Sequence, residues 1–398
     1  MINKNIILEK YFEDIKLCAS DMIKIKSRSG FEKELADYVV EKMKKLNYDE
    51  ITVDPAGNII GKVCGTGKGK STMLNCHLDI VDEGEINKWS HHPYSGDITE
   101  EAIWGRGASD TKGTFAIQLY TPYILKKENL LPKGDIYVVA VVHEETSGFG
   151  SMYLIENGFK TDFGIVGEAT ENDIAISNRG RMVIEVEITG KSCHASIPHQ
   201  GINPFNFLGD FLNEVTKFPV GEDEIFGSST VSPTFISSSE KVNNTIPNTL
   251  ILQLDYRNVP CDDEKTVLEK FEKIVEKTKK DGIKVQVRTV KVPIKCYTGL
   301  EGLGYQGEPA FKQNTEDEIV KVAKDVLDKY LDKKPEIKPW SFATDSGHFS
   351  QAGIQVIGFS PAEIRYCHTV EDQINLDLMK EGLIGTLVLT KELCDIEK

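Results

Sequence analysis

The stretch 136–145, Ile-Tyr-Val-Val-Ala-Val-Val-His-Glu-Glu, predicts the fold more directly than any other part of the chain. Its first seven residues are almost continuously apolar, which is typical of a short strand buried on both faces of a sheet. Further strand-like runs lie at 51–53, 59–63, 72–78 and 163–166. Because these runs alternate with helical patterns, we expect an α/β layer on a mainly parallel or mixed sheet flanked by helices.

Helical spacing of apolar residues opens the chain over 7–25. A second helix is predicted to start at Ser29, because Glu32 three residues later completes a capping-box pattern. A third is expected after Asp110, and glycines 65, 67 and 69 predict a hairpin turn between the strands on either side of them. The C-terminal part predicts a helix over 317–331 and a strand over 356–359.

The pattern changes near Arg179, where a compact α+β region begins. Its predicted elements are an exposed-edge strand over 183–188, a helix over 206–215, strands over 231–236 and 250–256, an amphipathic helix over 265–279 and a strand over 283–292. We therefore predict a catalytic domain in two pieces, 1–180 and 293–398, with a smaller domain inserted at 181–292.

Composition excludes several classes of protein. The 398 residues include 47 Lys and Arg against 62 Asp and Glu, a net charge of −15, so the basic footprint of a nucleic-acid-binding protein is missing. No apolar run is long enough to cross a membrane, and the charged N-terminus differs from a signal peptide, so a cytoplasmic location is expected. Eight scattered cysteines without a CxxC pair argue against a structural zinc ribbon.

His77 and Asp79 stand at the end of a strand-like run. A histidine at the carboxyl end of a strand can point into the crevice where α/β proteins bind ligands. A carboxylate two residues later can orient its ring. The alternative is a surface histidine followed by a turn aspartate.

The stretch 105–113, Gly-Arg-Gly-Ala-Ser-Asp-Thr-Lys-Gly, predicts a tight turn into a helix. Asp110 stands where a dinucleotide fingerprint requires glycine, so that interpretation fails. An acidic residue there suits a metal ion, and the alternative is an N-cap of the following helix.

Adjacent carboxylates, Glu144 and Glu145, follow the buried strand directly. One of them can bind a metal ion while the other remains free as a general base. The alternative is a solvated loop. Neither the HExxH motif of common zinc proteases nor the GxSxG motif of serine hydrolases is present.

Glu168 lies just beyond a strand-like run, and His368 follows the strand predicted over 356–359 and a loop. These two residues complete a larger set. The candidate ligands are His77, Asp110, Glu145, Glu168 and His368. Two imidazoles and three carboxylates are about what two metal ions sharing a bridging carboxylate require. Nitrogen and oxygen ligands without thiolate favour zinc, cobalt or manganese.

Taken in order, the motifs HLDIV, GRGASDTKG, EE, GEAT, CHASIP, NTIP, DYR and CHTVED span nearly the whole chain. This ordered set resembles the co-catalytic zinc amidohydrolases, which include acetylornithine deacetylase, succinyl-diaminopimelate desuccinylase, aminoacylase and glutamate carboxypeptidase. The segments 178–181, 192–195 and 339–342 are most similar to a bacterial subgroup linked to selenium metabolism.

The resemblance implies a role for each matched residue. The metal ligands would be His77, Glu145, Glu168 and His368, with Asp110 bridging two Zn²⁺ ions that Co²⁺ or Mn²⁺ can replace. Asp79 would orient His77. Glu144 would be the general base, taking a proton from the metal-bridging water and delivering it to the leaving amine.

The inserted domain would, by the same resemblance, be a lid that also forms a homodimer. His194 would reach the partner's active site and stabilise the oxyanion, while Asn244 and Arg257 would bind substrate. The structural alternatives are a turn asparagine and an arginine in a surface ion pair. Two departures from the family pattern, Ala169 and the loop 343–348, bear on the choice of substrate.

The sequence thus predicts a dinuclear metallohydrolase that cleaves the amide bond of a small N-acyl amino acid or dipeptide. Two alternatives remain open. One is hydrolysis of a carbamoyl or ureido group, as in nucleobase breakdown. The other is a non-catalytic binding protein on the same fold, which predicts loss of the base or of a ligand.

Overall fold

The computed structural model describes residues 2–398. The helices are α1 (Lys4–Lys24), α2 (Lys33–Lys45), α3 (Gly113–Lys127), α4 (Glu144–Ser147), α5 (Phe149–Glu156), α6 (Phe205–Val215), α7 (Glu264–Lys277), α8 (Glu318–Tyr330), α9 (Ser346–Gln351) and α10 (Leu376–Asp395). Short 3-10 turns occur at Ile86–Lys88 and Pro198–Gln200, and a π-type turn at Ala108–Lys112. Within the described chain, no helix combines the length and apolar character needed to span a bilayer.

The strands include several very short ones. They are β1 (Glu50–Val53), β2 (Ile59–Val63), β3 (Thr72–His77), β4 (Ala102–Trp104), β5 (Ile136–Val141), β6 (Phe163–Val166), β7 (Ile174–Asn178), β8 (Met182–Thr189), β9 (Cys193–His194), β10 (Glu222–Asp223), β11 (Gly227–Ser228), β12 (Thr230–Ser238), β13 (Thr245–Ile246), β14 (Thr249–Arg257), β15 (Lys284–Thr289), β16 (Lys291–Lys295), β17 (Glu301–Tyr305), β18 (Phe311–Lys312), β19 (Ile337–Pro339), β20 (Gln355–Gly358) and β21 (Gln373–Asn375).

A nine-stranded mixed sheet forms the centre of the molecule, with the order β1-β2-β5-β3-β6-β20-β7-β18 and β19 paired to β7. Its middle strands β5, β3, β6 and β20 are parallel, and antiparallel strands flank them on both sides. The predicted α/β architecture is therefore confirmed. Because the four middle strands run the same way, their carboxyl ends meet at one edge of the sheet.

Successive residues of the central strands face opposite sides of this sheet. Val138 and Ala140 of β5 belong to the large core shared with α1, α3 and α10, whereas Val139 and Val141 belong to a second core with residues of α5 and α9. All four side chains are buried. Burial on both faces explains the continuous apolar run that opened the sequence argument.

Residues of the predicted insert form a separate four-stranded sheet, in the order β12-β14-β8-β15. Its apolar face packs against α6 and α7 in a core that contains Val186, Leu252, Phe211 and Phe271. That core draws only on residues between 182 and 287. The domain boundaries at 181 and 292 nevertheless remain predictions.

The capping-box prediction at Ser29 is wrong, because α2 begins at Lys33 and the Glu32 side chain makes no capping hydrogen bond. The Ser29 hydroxyl instead donates to Asp79 Oδ2 at 2.6 Å, and Glu32 Oε1 accepts from the backbone N–H of His143 at 3.4 Å. Both side chains are thus used by tertiary contacts rather than by the local helix start.

The hairpin predicted at glycines 65–69 is also absent from the described chain, because β5 lies between β2 and β3. The connection 64–71 therefore crosses the end of β5, a gap of two strand spacings of about 4.8 Å each. Its glycines allow close approach to another loop, since a Cβ on Gly65 would lie 2.4 Å from the carbonyl oxygen of Gly134.

Two strand predictions in the insert need correction. β8 is central, between β14 and β15, rather than an edge strand. Its alternation arises because Glu185 and Glu187 face Arg288 on the open side of the sheet while the apolar residues face the core. The strand predicted over 283–292 divides into β15, which pairs with β8, and β16, which pairs with β17.

Candidate active site

The carboxyl edge of the central sheet brings together Glu144 and the five predicted metal ligands. His77 is the last residue of β3, Glu144 and Glu145 begin the short helix after β5, and Glu168 lies two residues after β6. His368 reaches the same place from the loop that follows β20. The spacing along the chain is large, so only the parallel arrangement of the strands makes these side chains neighbours.

Asp110 lies at the centre of the group. Its Oδ1 is 2.8 Å from His77 Nε2, and its Oδ2 is 3.0 Å from His368 Nε2. Glu168 Oε1 is 3.3 Å from His77 Nε2, and Glu145 Oε2 is 3.1 Å from His368 Nε2. One carboxylate therefore joins two half-sites, each made of one imidazole and one glutamate.

The orientation of His77 is set mainly by a backbone atom. Its Nδ1 donates to the carbonyl oxygen of Asp79 at 2.9 Å, whereas the nearest oxygen of the Asp79 carboxylate is 3.8 Å away. With the proton on Nδ1, the lone pair of Nε2 is available to a metal ion.

The carboxylate of Asp79 acts instead on the neighbouring helix start. Its Oδ1 accepts from the backbone N–H of Glu144 at 3.0 Å, and its Oδ2 accepts from that of Glu145 at 3.1 Å. The chain turns sharply just before this point, since His143 has a φ of 58°. Asp79 thereby fixes the position of both glutamates.

The turn that carries Asp110 is held by a second buried carboxylate. Asp372 Oδ2 accepts from the backbone N–H of Gly107 at 2.7 Å, and its Oδ1 accepts from that of Ser109 at 3.0 Å. Arg106 Nη1 donates to the same side chain at 3.1 Å. The peptide bond between Asp110 and Thr111 is cis.

Negative charge dominates this group. Burial raises the pKa of Glu145 to about 7 and also raises the pKa of Glu168, and the charge of Asp110 adds to both shifts. Hydrogen bonds to Asp110 and Glu145 raise the pKa of His368 to about 10. Burial opposes ionisation of Asp110, but hydrogen bonds from His368 and His77 outweigh it and lower its pKa. Bound cations would compensate the mutual repulsion of carboxylates clustered in this way.

The donor set fits two metal ions. Ligand atoms of His77, Asp110 and Glu145 lie within 4.8 Å of one another, as do those of His77, Glu144 and Glu168. Imidazole nitrogens and carboxylate oxygens, without thiolate, suit zinc, cobalt or manganese. Glu144 therefore lies close enough to His77 and Glu168 to be a ligand of the same ion.

Comparison with known proteins agrees with this geometry. Residues 73–386 match Peptidase family M20/M25/M40. The chain belongs to this family. It is therefore a metal-dependent hydrolase acting on amide or peptide bonds, as the sequence predicted.

Relatives of this M20 chain cover nearly its whole length. The YgeY protein of Escherichia coli K12 is 29% identical over 379 residues, which is 92% of both chains. A protein named probable succinyl-diaminopimelate desuccinylase from Staphylococcus epidermidis is 23% identical over 402 residues, covering 92% of this chain and 94% of that one. The solved structure of Bacillus subtilis YxeP, a dinuclear metal-binding M20 peptidase, superposes with a TM-score of 0.68 at 13% identity, covering 97% and 99%.

The other predicted residues of the M20 chain lie elsewhere. His194 of β9 is exposed, and the backbone N–H of the next residue, Ala195, donates to the carbonyl of Asn244 at 2.9 Å. Arg257 is at the end of β14, and its Nε donates to Asp255 Oδ1 at 2.7 Å. Among residues 2–398, no hydrogen bond or ion pair joins these three predicted residues to the group around Asp110.

Sequence reasoning missed three residues that support the site. Asp372 belongs to the quoted CHTVED motif, yet nothing in its local pattern indicates that it binds the turn before Asp110. Ser29 and Glu32 matched a capping box, and that local interpretation concealed their contacts with Asp79 and His143. A buried carboxylate needs hydrogen-bond partners, but the sequence does not say where they are.

Proposed function

We propose that the chain is a dinuclear zinc hydrolase that cleaves the amide bond of a small N-acyl amino acid or a dipeptide. The observation that carries the proposal is the position of Asp110, whose two carboxylate oxygens each face a different imidazole. This arrangement suits two ions that share a bridging ligand. When bound, two such ions polarise the scissile carbonyl and make hydroxide available near neutral pH.

Glu144 is the group we assign to proton transfer. Within residues 2–398 its side chain makes no hydrogen bond or ion pair, although it lies within 4.8 Å of ligand atoms of His77 and Glu168. Burial and the charge of Glu168 raise its pKa. A carboxylate held in place through its backbone N–H, with free oxygens, can accept the proton of the attacking water and deliver it to the leaving amine.

The remaining assignments concern the insert at 181–292. We propose that it forms a homodimer, in which His194 stabilises the oxyanion in the partner's site and Asn244 and Arg257 bind substrate. The sheet edge at β12 supports this, since Phe235 and Ile236 are 52% and 47% exposed there. An apolar edge strand is a common surface for strand pairing between chains.

The proposal is tested by elemental analysis of the purified protein together with hydrolysis of a panel of N-acyl amino acids, dipeptides and ureido acids. We expect bound zinc at the Asp110 centre and cleavage that stops with a chelator and returns with zinc. Activity that survives complete metal removal would contradict the proposal. Preferential release of ammonia or carbamate from the ureido acids would favour the alternative substrate class.

A further inference from the structure

A second group of potential metal ligands lies outside the Asp110 centre. Asp345 precedes α9, His348 lies in its first turn, and Glu308 comes from the loop between β17 and β18. Ligand atoms of these three residues all lie within 4.8 Å of one another. Asp345 and His348 are three positions apart, which places them on the same side of a helical turn.

The contacts within this group resemble those of the Asp110 centre. His348 Nε2 lies 2.8 Å from Glu308 Oε2, the same separation as between His77 and Asp110. The three side chains of the group are mostly buried, with only 2% of Asp345 exposed. Donor atoms at such separations leave space for an ion about 2.0–2.2 Å from each of them after small side-chain shifts.

Asp345 is the member that lacks a partner. Its Oδ1 is buried and has no hydrogen bond, and within residues 2–398 no cationic side chain forms an ion pair with it. Burial raises the pKa of this carboxyl to about 7 despite a smaller lowering by Ser151, whose Oγ is itself without a hydrogen-bond partner. A buried carboxylate without partners is costly, and a bound cation would satisfy it.

This group is distinct from the Asp110 centre but adjoins it. It shares no residue with the two half-sites. Gly148, which follows α4 with a φ of 57°, lies against this group: a Cβ there would lie 2.5 Å from both Glu308 Oε2 and His348 Nε2. A cavity of about 800 Å³, lined by both of those residues, provides an entry path.

We propose that Glu308, Asp345 and His348 bind a third divalent metal ion of the zinc or manganese class. Two carboxylate oxygens and one imidazole nitrogen form the ligand set, with water completing the coordination. The ion neutralises the buried Asp345 and links α9 to the loop after β17. It also lies beside Gly148, the residue that follows α4, so it positions the helix of Glu144 and takes no part in the reaction.

The test is a metal count on chelator-treated protein re-equilibrated with Zn²⁺ or with Mn²⁺ alone and freed of excess metal. We expect about three ions per wild-type chain and about two for His348→Gln. The matched control is His199→Gln, an exposed histidine of the insert, which should still bind three. A wild-type chain that binds only two ions, or a His348→Gln variant that binds as many as wild type, would overturn the proposal.

A second measurement needs no variant. Crystals of the wild-type protein soaked in Zn²⁺ should show an anomalous peak at the zinc edge between Glu308 and His348. Peaks around Asp110 alone would overturn the third site and leave the proposed function intact. A peak at His348 without peaks around Asp110 would contradict the proposed function and leave the third site intact. The two failures are therefore distinguishable.

Discussion

The Asp110 centre and the inserted region present their chemical groups in opposite ways. Around Asp110, side chains from the ends of three strands and two loops form a chain of neighbours, with 2.8–3.3 Å between the contacting atoms, and all of them except His368 are largely buried. In the insert, His194 and Asn244 are exposed on a two-stranded ribbon, and Arg257 pairs with a neighbouring aspartate. All the proposed ligands of the Asp110 centre come from one chain. The three polar residues of the insert face no such centre within residues 2–398 of the same chain. This difference motivates the proposal that the insert acts on a second copy of the chain.

The largest effect is expected for Glu144→Gln, which removes the proton acceptor and keeps the shape of the side chain. Turnover should fall by about 10²–10⁴-fold, the usual contribution of a general base. Metal content should stay at the wild-type value, because Asp79 still binds the backbone at this position. Steady-state kinetics and elemental analysis measure the two quantities.

Glu145→Gln provides the matched control, since it should lose metal as well as activity. If Glu144→Gln also lost metal, the half-site made of His77, Glu144 and Glu168 would be the correct ligand set. The assignment of Glu144 as a base that binds no metal would then be wrong.

A smaller loss, about 10²–10³-fold in turnover, is expected for His194→Gln, in line with removal of one oxyanion donor. The decisive experiment mixes this variant with Glu144→Gln after the dimers have been allowed to exchange subunits. If His194 acts across the dimer, roughly one quarter of the sites regain both groups, because half the dimers are mixed and each has one intact site.

No recovery in the mixture would mean that His194 acts within its own chain or not at all. A mixture of His194→Gln with itself, treated identically, controls for the exchange procedure. Sedimentation of each variant must show the same assembly as wild type.

The smallest effect is expected for Asp372→Asn, which weakens the support of the turn before Asp110. One of the two backbone hydrogen bonds to this side chain loses its acceptor. Zinc affinity should fall by about 10–100-fold, as is typical when a residue behind a ligand is changed. Competition with a zinc chelator measures the affinity.

Turnover of Asp372→Asn at saturating zinc should remain close to that of wild type. Asp332→Asn, an almost fully exposed carboxylate paired only with Lys4, is the control and should leave affinity unchanged. Unchanged zinc affinity in Asp372→Asn would show that the turn is held by other contacts.

Patterns with a strong local cause were predicted well. The strands over 59–63 and 163–166 have the predicted bounds, and the helices predicted over 7–25 and 317–331 differ from α1 and α8 by no more than three residues at either end. A strand buried on both faces of a central sheet is continuously apolar. The spacing of apolar residues along a helix shows which of its faces is buried.

Segments whose residues can make either a local or a long-range contact were predicted poorly. Ser29 matches a helix cap locally, but the Asp79 carboxylate is the partner it finds in the fold. The glycines at 65–69 allow a tight hairpin, yet β5 occupies the place beside β2. In both cases a contact from a distant part of the chain outweighs a local preference of about 1 kcal/mol.

The amino-acid sequence alone was enough to predict the α/β class, because strand burial depends on the residues themselves. The ligand types that it indicates remain a prediction. The family membership that the motifs predicted is confirmed by the match over 73–386. Only the tertiary structure shows that Asp110 lies between two imidazoles, and that Glu308, Asp345 and His348 form a separate cluster. Distances between residues far apart in sequence depend on strand order and register, and neither is encoded locally.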